Sequence, residues 1–334
     1  PNADRLRLCR VETSAGEVQV VCGAPNARTG LYGIFAPTGS TIPATGMVLA
    51  ASKIRGVESQ GMLCSARELG IGDDHDGIIE LVGEPAVGTP ATAVLGVEGP
   101  VIEVALTPDR ADCFGIAGIA RELAAAGLGR LVSRDFTPVP SHGRGPAIRL
   151  DFPAERADAC PLFIGRLIRG VRNGPSPEWM QRRLKAIGLR PISALVDISN
   201  YVMFDLNRPL HVFDAAKLDG DVVVRLARPG ETLLALDGKD YALDDDMTVI
   251  ADTHRPHGLG GVMGGEESGV TAETTDVLLE VALFDPIRTA LTGRKLDLVS
   301  DARTRFERGL DPAMAIPGME HATRLILELC GGEP

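Results

Sequence analysis

The sequence predicts a β-rich α+β protein. Three observations carry this: 39 glycines and 23 prolines stand against only 4% aromatic residues, short apolar or alternating runs follow one another between turn residues, and only a handful of stretches have the apolar period of a surface helix. At 334 residues the chain is long enough for two or three domains, each with a core of its own. Its net charge of −11 excludes a uniformly basic nucleic-acid sleeve. A local patch such as Arg182, Arg183, Lys185 and Arg190 still leaves RNA open. The six cysteines are scattered without a CxxC pair, which fits reduced thiols rather than a disulfide frame or a zinc knuckle, so no metal is assigned. No apolar run approaches the roughly 20 residues of a membrane span. The chain opens at PNADRL without a basic or apolar leader, and the expectation is a cytoplasmic protein.

From Arg5 to Leu81 the runs LRLCRVET, EVQVVCG, YGIFAP, GMVLAASKIRGVESQGMLCS and GIIEL read as short strands punctuated by glycine, the pattern of a small barrel. An oligonucleotide-binding barrel is one candidate. Lys53, Arg55 and Ser65 are its polar positions of interest, with solvated surface charge as the plain alternative. From Val101 to Leu131 a strand, a turn at Pro108 and Asp109, and a helix with Ile116, Ile119, Leu123 and Ala126 on one face are expected. TPVPSHGRG has the composition of a linker. The expected division is a barrel over 1–100, an α+β remainder over 101–136, a linker over 137–145 and a last domain over 146–334. That domain opens with the strand PLFIGRLIRGV and the helix SPEWMQRRLKAIGLR, with Ser176 as N-cap, Pro177 in the first turn and Gly188 as the stop. VVVRLA, ETLLALDGKDYAL, MTVIAD, GLGGVMGGEESGV and DVLLEVALF then read as strands of mixed sheets, and helices run from Asp285 towards Arg294 and from Pro312 to Cys330.

Chemistry concentrates in SALVDISNYVMFDLNRPLHVFD. An apolar helix carries Ser199 and Asn200 in its middle, Pro209 ends the helical pattern, and His211 follows at a turn or strand start. A lone histidine among Leu210, Val212 and Phe213 is either a satisfied core residue or a catalytic one. Glu280 poses the same question. It stands alone among Val277, Leu278, Leu279, Val281 and Leu283, either turned to water or buried for a purpose. The glycines at 260, 261, 264 and 265 mark a tight bend or a close approach of backbones.

In the first part, VCGAPNARTG, KIRGVESQGMLCS and DDHDGIIEL resemble the tRNA-binding barrel of the bacterial phenylalanine–tRNA ligase β subunit. In the second, VDISNYV with PLHVFD, GGVMGGEESGV, VLLEVALFDP and SDARTRFERGLDP are similar, in order, to that family's editing module. The resemblance implies a barrel inserted in a small α+β segment, whose first half is missing so that the chain looks truncated at its start, followed by an α/β editing module of mixed sheets with flanking helices. It implies hydrolysis of tyrosine wrongly attached to tRNA(Phe), with His211, Ser199, Asn200 and Ser300 holding water and the terminal ribose. Glu280 would accept the phenolic hydroxyl, and Gly261, Ala302 and Phe213 would shape the slot. A histidine of ordinary pKa, about 6.5, can also act as base. Ser199 and Ser300 stand where the family usually has threonine. Lys53, Arg55, Arg303, Arg305 and Arg308 are candidates for tRNA contact, the last three equally well explained as partners of Asp301, Glu307 and Asp311. The resemblance further implies an α subunit partner in an (αβ)2 assembly, with ATP and magnesium used by the holoenzyme and no cofactor in this chain. A non-catalytic RNA-binding or assembly module with a vestigial pocket is the alternative.

Overall fold

The computed structural model describes residues 6–72, 74–96 and 101–334. Arg5, the expected start of the first strand region, and residue 100, the expected end of the barrel domain, lie outside the described residues. Two compact units form: residues up to Ile102 with Lys185–Arg190, and Glu103–Leu184 with Pro191–Pro334.

In the first unit β1 (Arg7–Thr13) and β2 (Gly16–Cys22) make an antiparallel hairpin. β3 (Phe35–Pro37), β4 (Ser52–Ile54), β5 (Val57–Ser59) and β6 (Gly61–Leu63) follow, then the short helix α1 (Ala91–Leu95). β3 pairs with β6 and β4 with β5. The expected barrel is therefore present as three two-stranded ladders rather than one closed sheet among the described residues. Single bonds link them, such as Gln60 N to the Gln19 carbonyl at 2.9 Å. GIIEL forms no ladder, yet Ile79 N reaches the Cys64 carbonyl and Leu81 N that of Tyr32, both at 2.9 Å. Between β4 and β5, Arg55 and Gly56 take positive φ values of 48° and 86°, the requirement of the tight hairpin turn that matches strand twist.

The second unit contains α2 (Ile116–Ala125), β7 (Ile148–Asp151), β8 (Leu162–Arg169), all but the last two residues of α3 (Glu178–Ala186), α4 (Ala194–Leu206) and β9 (His211–Asp214). β10 (Val222–Leu226), β11 (Thr232–Leu234), β12 (Asp240–Ala242), β13 (Thr248–Ala251), β14 (Pro256–Leu259), β15 (Met263–Gly264) and β16 (Asp276–Leu283) come next. α5 (Pro286–Lys295), α6 (Asp301–Arg308) and α7 (Ala315–Cys330) end it.

Two sheets organise this unit, a five-stranded one in the order β15-β14-β13-β10-β7 and a three-stranded one in the order β8-β16-β9. Because side chains alternate along a strand, each sheet has two distinct faces. Val222, Val224 and Ile250 of the larger sheet meet Phe213, Leu278 and Ala282 of the smaller one. On the far face of the larger sheet, Val249, Ala251 and Leu259 pack with Leu233 and Tyr241 of the β11–β12 hairpin. On the far face of the smaller sheet, β16 packs against α7, which also packs on α4. Arg166 of β8 and Glu320 of α7 close that layer with a 2.7 Å ion pair.

Several local expectations are corrected. No strand forms over 101–107 among the described residues. α2 exists, but Ile116 and Leu123 of its apolar face are 59% and 49% exposed. Ser176 does not cap α3 with its side chain, because its hydroxyl donates to the Asp197 carboxylate at 2.5 Å. The linker composition of 137–145 hides a fixed path: Val139 N donates to Glu320, Arg324 donates to the Asp135 and Thr137 carbonyls, and His142 N donates to the Pro334 carbonyl.

Candidate functional site

The approach to the site begins where α4 stops. Asn207 takes a left-handed conformation at φ 54°, the standard way of ending a helix, and its amide donates to the Ala111 carbonyl at 2.8 Å. The helix thus ends before Pro209 can break it. Arg208 is fully buried and donates to the carbonyls of Ala282 at 3.0 Å and Asp311 at 2.8 Å. Burial brings its pKa down to about 10. Its guanidinium therefore pins the end of β16 and the entry to α7 immediately ahead of β9.

His211 opens β9 and lies directly across the ladder from Glu280 of β16. Opposed residues share a face, so both side chains point into the space between the two sheets. A cavity of about 80 Å³ lies there, lined by both residues together with Phe213, Gly261, Met263, Gly264, Phe284, Ala302 and Phe306. Glu280 is 7% exposed. No hydrogen bond reaches its carboxyl from the described residues, and burial pushes its pKa up to about 8. The carboxyl is therefore largely protonated at neutral pH. His211 keeps part of its surface in contact with solvent, but its Nε2 is sealed and has no hydrogen-bond partner. Desolvation lowers its pKa to about 4, which corrects the ordinary value expected from sequence and leaves a neutral imidazole at pH 7. The ring stands edge-on to Phe213 at 4.4 Å.

Glycine makes these contacts possible. A Cβ at Gly264 would stand 2.4 Å from His211 Cε1, and one at Gly261 would stand 3.1 Å from the rings of Phe284 and Phe306. Gly261 also has φ 72°, a conformation few other residues adopt cheaply.

Of the residues singled out from sequence, His211, Glu280, Phe213, Gly261 and Ala302 come together at this cavity. Ser300 stands just behind it, donating to the carbonyl of the lining residue Val262 at 2.6 Å and capping α6 by accepting from Arg303 N at 3.0 Å. Ser199 and Asn200 are not among the lining residues. The Ser199 hydroxyl is engaged with the Val196 carbonyl at 2.7 Å, one turn back in α4. The guanidinium groups of Arg303 and Arg305 are both directed inward. Arg303 bonds Glu307 at 3.1 Å and the Leu298 carbonyl. Arg305, 3% exposed at its side chain, bonds Asp301 and the Phe114 carbonyl and lies 4.4 Å from the Phe204 ring. Arg308 lies 6.0 Å from the Phe114 ring. In the first unit Lys53 is exposed, and Ser65 is buried in a reciprocal cap with Glu68, donating at 2.9 Å and receiving Glu68 N at 3.3 Å. Sequence reasoning assigned no role to Arg208, Phe284 and Phe306, although the two phenylalanines lie within VLLEVALFDP and SDARTRFERGLDP, and the close approach expected of Gly264 is to His211.

A second cavity, of about 270 Å³, lies on the other face of β14, where His257 and Gly265 help line it. Behind it His257 Nε2 and Asp252 Oδ2 are 2.7 Å apart, both residues buried. Burial alone would raise the Asp252 pKa, but the bonds from His257 and from the amides of Arg255, His254 and Asp219 outweigh it and hold the carboxylate far below its usual range. Among the described residues Asp112, Cys113 and Glu122 lie close enough to share one cation. Arg110 already occupies that position, bonding Asp112 at 3.0 Å, Glu122 at 3.0 Å and Cys113 at 3.2 Å.

The B3/4 domain model matches residues 159–331, and the putative tRNA binding domain model matches residues 1–90. The phenylalanine–tRNA ligase β subunit of Paramagnetospirillum magneticum is 60% identical over all of this chain and 42% of its own length. That of Cereibacter sphaeroides is 58% identical, again over all of the chain and 42% of the relative. The chain therefore spans about two fifths of the length of these relatives. A crystal structure of an N-terminal fragment of the phenylalanyl-tRNA synthetase β subunit from Pyrococcus horikoshii aligns at TM-score 0.34 and 13% identity, over 61% of this chain and 59% of that one. The B3/4 match covers just over half of the residues, and the chain belongs to the B3/4 domain family.

Proposed function

We propose that this chain binds tRNA(Phe) and removes tyrosine wrongly esterified to it, in trans to an aminoacylation site on an α subunit. The observation that carries the proposal is the buried Glu280 carboxyl, without a hydrogen-bond partner, facing a cavity shared with His211. A site that selects phenylalanine cannot strongly reject an analogue that only adds a hydroxyl. A second site that demands the hydroxyl solves the problem. Glu280 in its protonated form can donate to a phenolic oxygen or accept from it, whereas phenylalanine would leave the carboxyl unpaired in an apolar slot. Gly261 and Ala302 supply the ring's room, and Phe213, Phe284 and Phe306 its walls.

His211, as a neutral imidazole, orients water towards the ester carbonyl, and its sealed Nε2 becomes a hydrogen-bonding group once a ligand enters. It serves as positioning group ahead of base, because a pKa of about 4 makes a weak proton acceptor at pH 7. Ser300 orders the Val262 turn. Ser199 and Asn200 reach the terminal ribose only with a shift of the α4 side chains. The first unit is read as an opened oligonucleotide-binding barrel that contacts tRNA through Lys53 and Arg55. ATP and magnesium belong in this scheme to the α subunit of an (αβ)2 cytoplasmic assembly. Arg110 already pairs with Asp112 and Glu122, one of the two clusters among the described residues whose spacing would suit a cation.

The test is deacylation of tyrosyl- and phenylalanyl-tRNA(Phe) by the chain and by Glu280→Ala. The substitution should lower the tyrosine to phenylalanine ratio of kcat/KM about thirtyfold, the equivalent of about 2 kcal/mol for one lost buried hydrogen bond. An unchanged ratio with active hydrolysis removes Glu280 from recognition. A chain that hydrolyses neither substrate is the non-catalytic RNA-binding module instead.

A further inference from the structure

We propose that Trp179, Arg183 and Tyr201 form a stacking site for an unpaired nucleotide of RNA on the outer surface of the second unit. Trp179 is the chain's only tryptophan and is 37% exposed, at the start of α3. Tyr201 of α4 meets it edge to face, with centroids 5.4 Å apart. The Arg183 guanidinium lies 5.3 Å from the Trp179 ring and 5.9 Å from that of Tyr201. Its Nη1 donates to the Tyr201 hydroxyl at 2.7 Å, which fixes the plane of the group.

The charge on this arginine is what distinguishes the cluster. Arg166, Arg225 and Arg303 of the same unit each hold a carboxylate, and even Arg182 next door has Glu178 at 3.9 Å. Arg183 has no carboxylate partner among the described residues. A latch between α3 and α4 needs neither an exposed indole nor an unneutralised cation. A nucleotide uses both, since bases stack on aromatic rings and guanidinium planes while the phosphate finds the positive charge. In a chain of net charge −11 general attraction to RNA is absent, so binding must come from such local sites. The partner that fits is a single-stranded stretch, because paired bases have no free face to stack. The proposal rests on the view that this chain meets tRNA, and it extends the contact to a surface that no part of the editing cavity uses.

The lone tryptophan is its own reporter. Titrating the chain with a single-stranded uridine or adenosine decamer should quench Trp179 emission saturably, with affinity that falls as salt rises. Arg183→Met, which keeps the alkyl stem, should weaken that affinity about tenfold, and Tyr201→Phe should weaken it less. Emission that does not respond to either decamer overturns the proposal. So does an affinity unchanged in Arg183→Met with native circular dichroism. If Arg183→Met fails to fold, Arg183→Lys decides: weaker binding supports the planar stacking role, and parental affinity overturns it. Tyrosyl-tRNA deacylation on the same samples separates the two proposals. A quenched but inert chain keeps the stacking site and loses the editing function, and an active but unquenched chain does the reverse.

Discussion

Glu280→Gln should flatten the pH dependence of stability between about pH 6.5 and 8. The parent's Glu280 has a folded pKa of about 8 against 4.5 for an ordinary glutamate, raised by burial alone. Within that window the folded protein retains a proton that the unfolded chain has released. Stability is then fullest below the unfolded value and is lost as pH rises towards the folded one. The slope is about 1.4 kcal/mol per pH unit, easing near pH 8, so the window contains about 2 kcal/mol. His211 works in the opposite direction. Its pKa is lowered to about 4 by burial, so its contribution is complete only above the ordinary histidine value of 6.5 and still grows by about 0.4 kcal/mol from pH 6.5 to 8, in both proteins alike, and the lowered His321 acts with the same sign. The buried thiols, whose ordinary value is 9.0 and whose folded values are raised, begin to weigh only above this range. Urea unfolding of both proteins at half-unit pH steps measures the effect. From pH 6.5 to 8 the parent should fall by about 2 kcal/mol relative to the glutamine variant, whose own curve rises slightly with the histidines. Equal slopes in the two proteins would mean that Glu280 is ionised and hydrated in the folded state, and the argument from its burial would fail.

Three further substitutions test the neighbourhood. Ala302→Trp should fill the cavity and reduce deacylation to background with the fold retained, and parental rates would place Ala302 outside the pocket. Gly264→Ala puts a methyl where the His211 ring now lies. It should slow tyrosyl- and phenylalanyl-tRNA deacylation together, by about a hundredfold for a ring displaced by about 1 Å, and a changed ratio between them would contradict a purely positional role. Arg305→Ala should cost about 2–4 kcal/mol in urea unfolding, because it strips the Phe114 carbonyl and the Phe204 ring of a buried partner. The affinity of the folded variant for tRNA should be unchanged, and a large loss would restore this arginine to the RNA surface.

The strands of the second unit were legible because glycine, proline and aspartate separate them. DVLLEVALF was readable as a strand but not as to the direction of Glu280. β16 is central in its sheet and covered on both faces, so residues 277–282 are all buried and alternation carries no information. Only the pairing with His211 reveals the side that Glu280 faces. α6 was illegible for the opposite reason: DARTRFER has only two apolar residues, Ala302 and Phe306, and Arg305 and Phe306 are the residues it buries. Arginines judged from sequence looked available to RNA, while the structure engages two of them with carbonyls and carboxylates inside the fold. The apolar period of α2 made the helix legible, but not that Ile116 and Leu123 on that face stay exposed. In the first unit the strands were recognisable from their turns, but ladder closure depends on long-range register, which no local pattern encodes.

The ladder that sets His211 against Glu280 joins β9 to β16, and residues 215–275 lie between them. Four strands of the larger sheet, β10, β13, β14 and the short β15, must find their places within that interval. The pairing is therefore a late event in folding, since a closure over so long an intervening chain gains little until the enclosed residues have condensed. During synthesis the histidine leaves the ribosome well before its partner, and the Glu280 carboxyl stays in water until the last strand of the smaller sheet docks. Lengthening any surface turn within 215–275 would slow this assembly without moving either side chain, because their spacing belongs to the ladder and not to the loops.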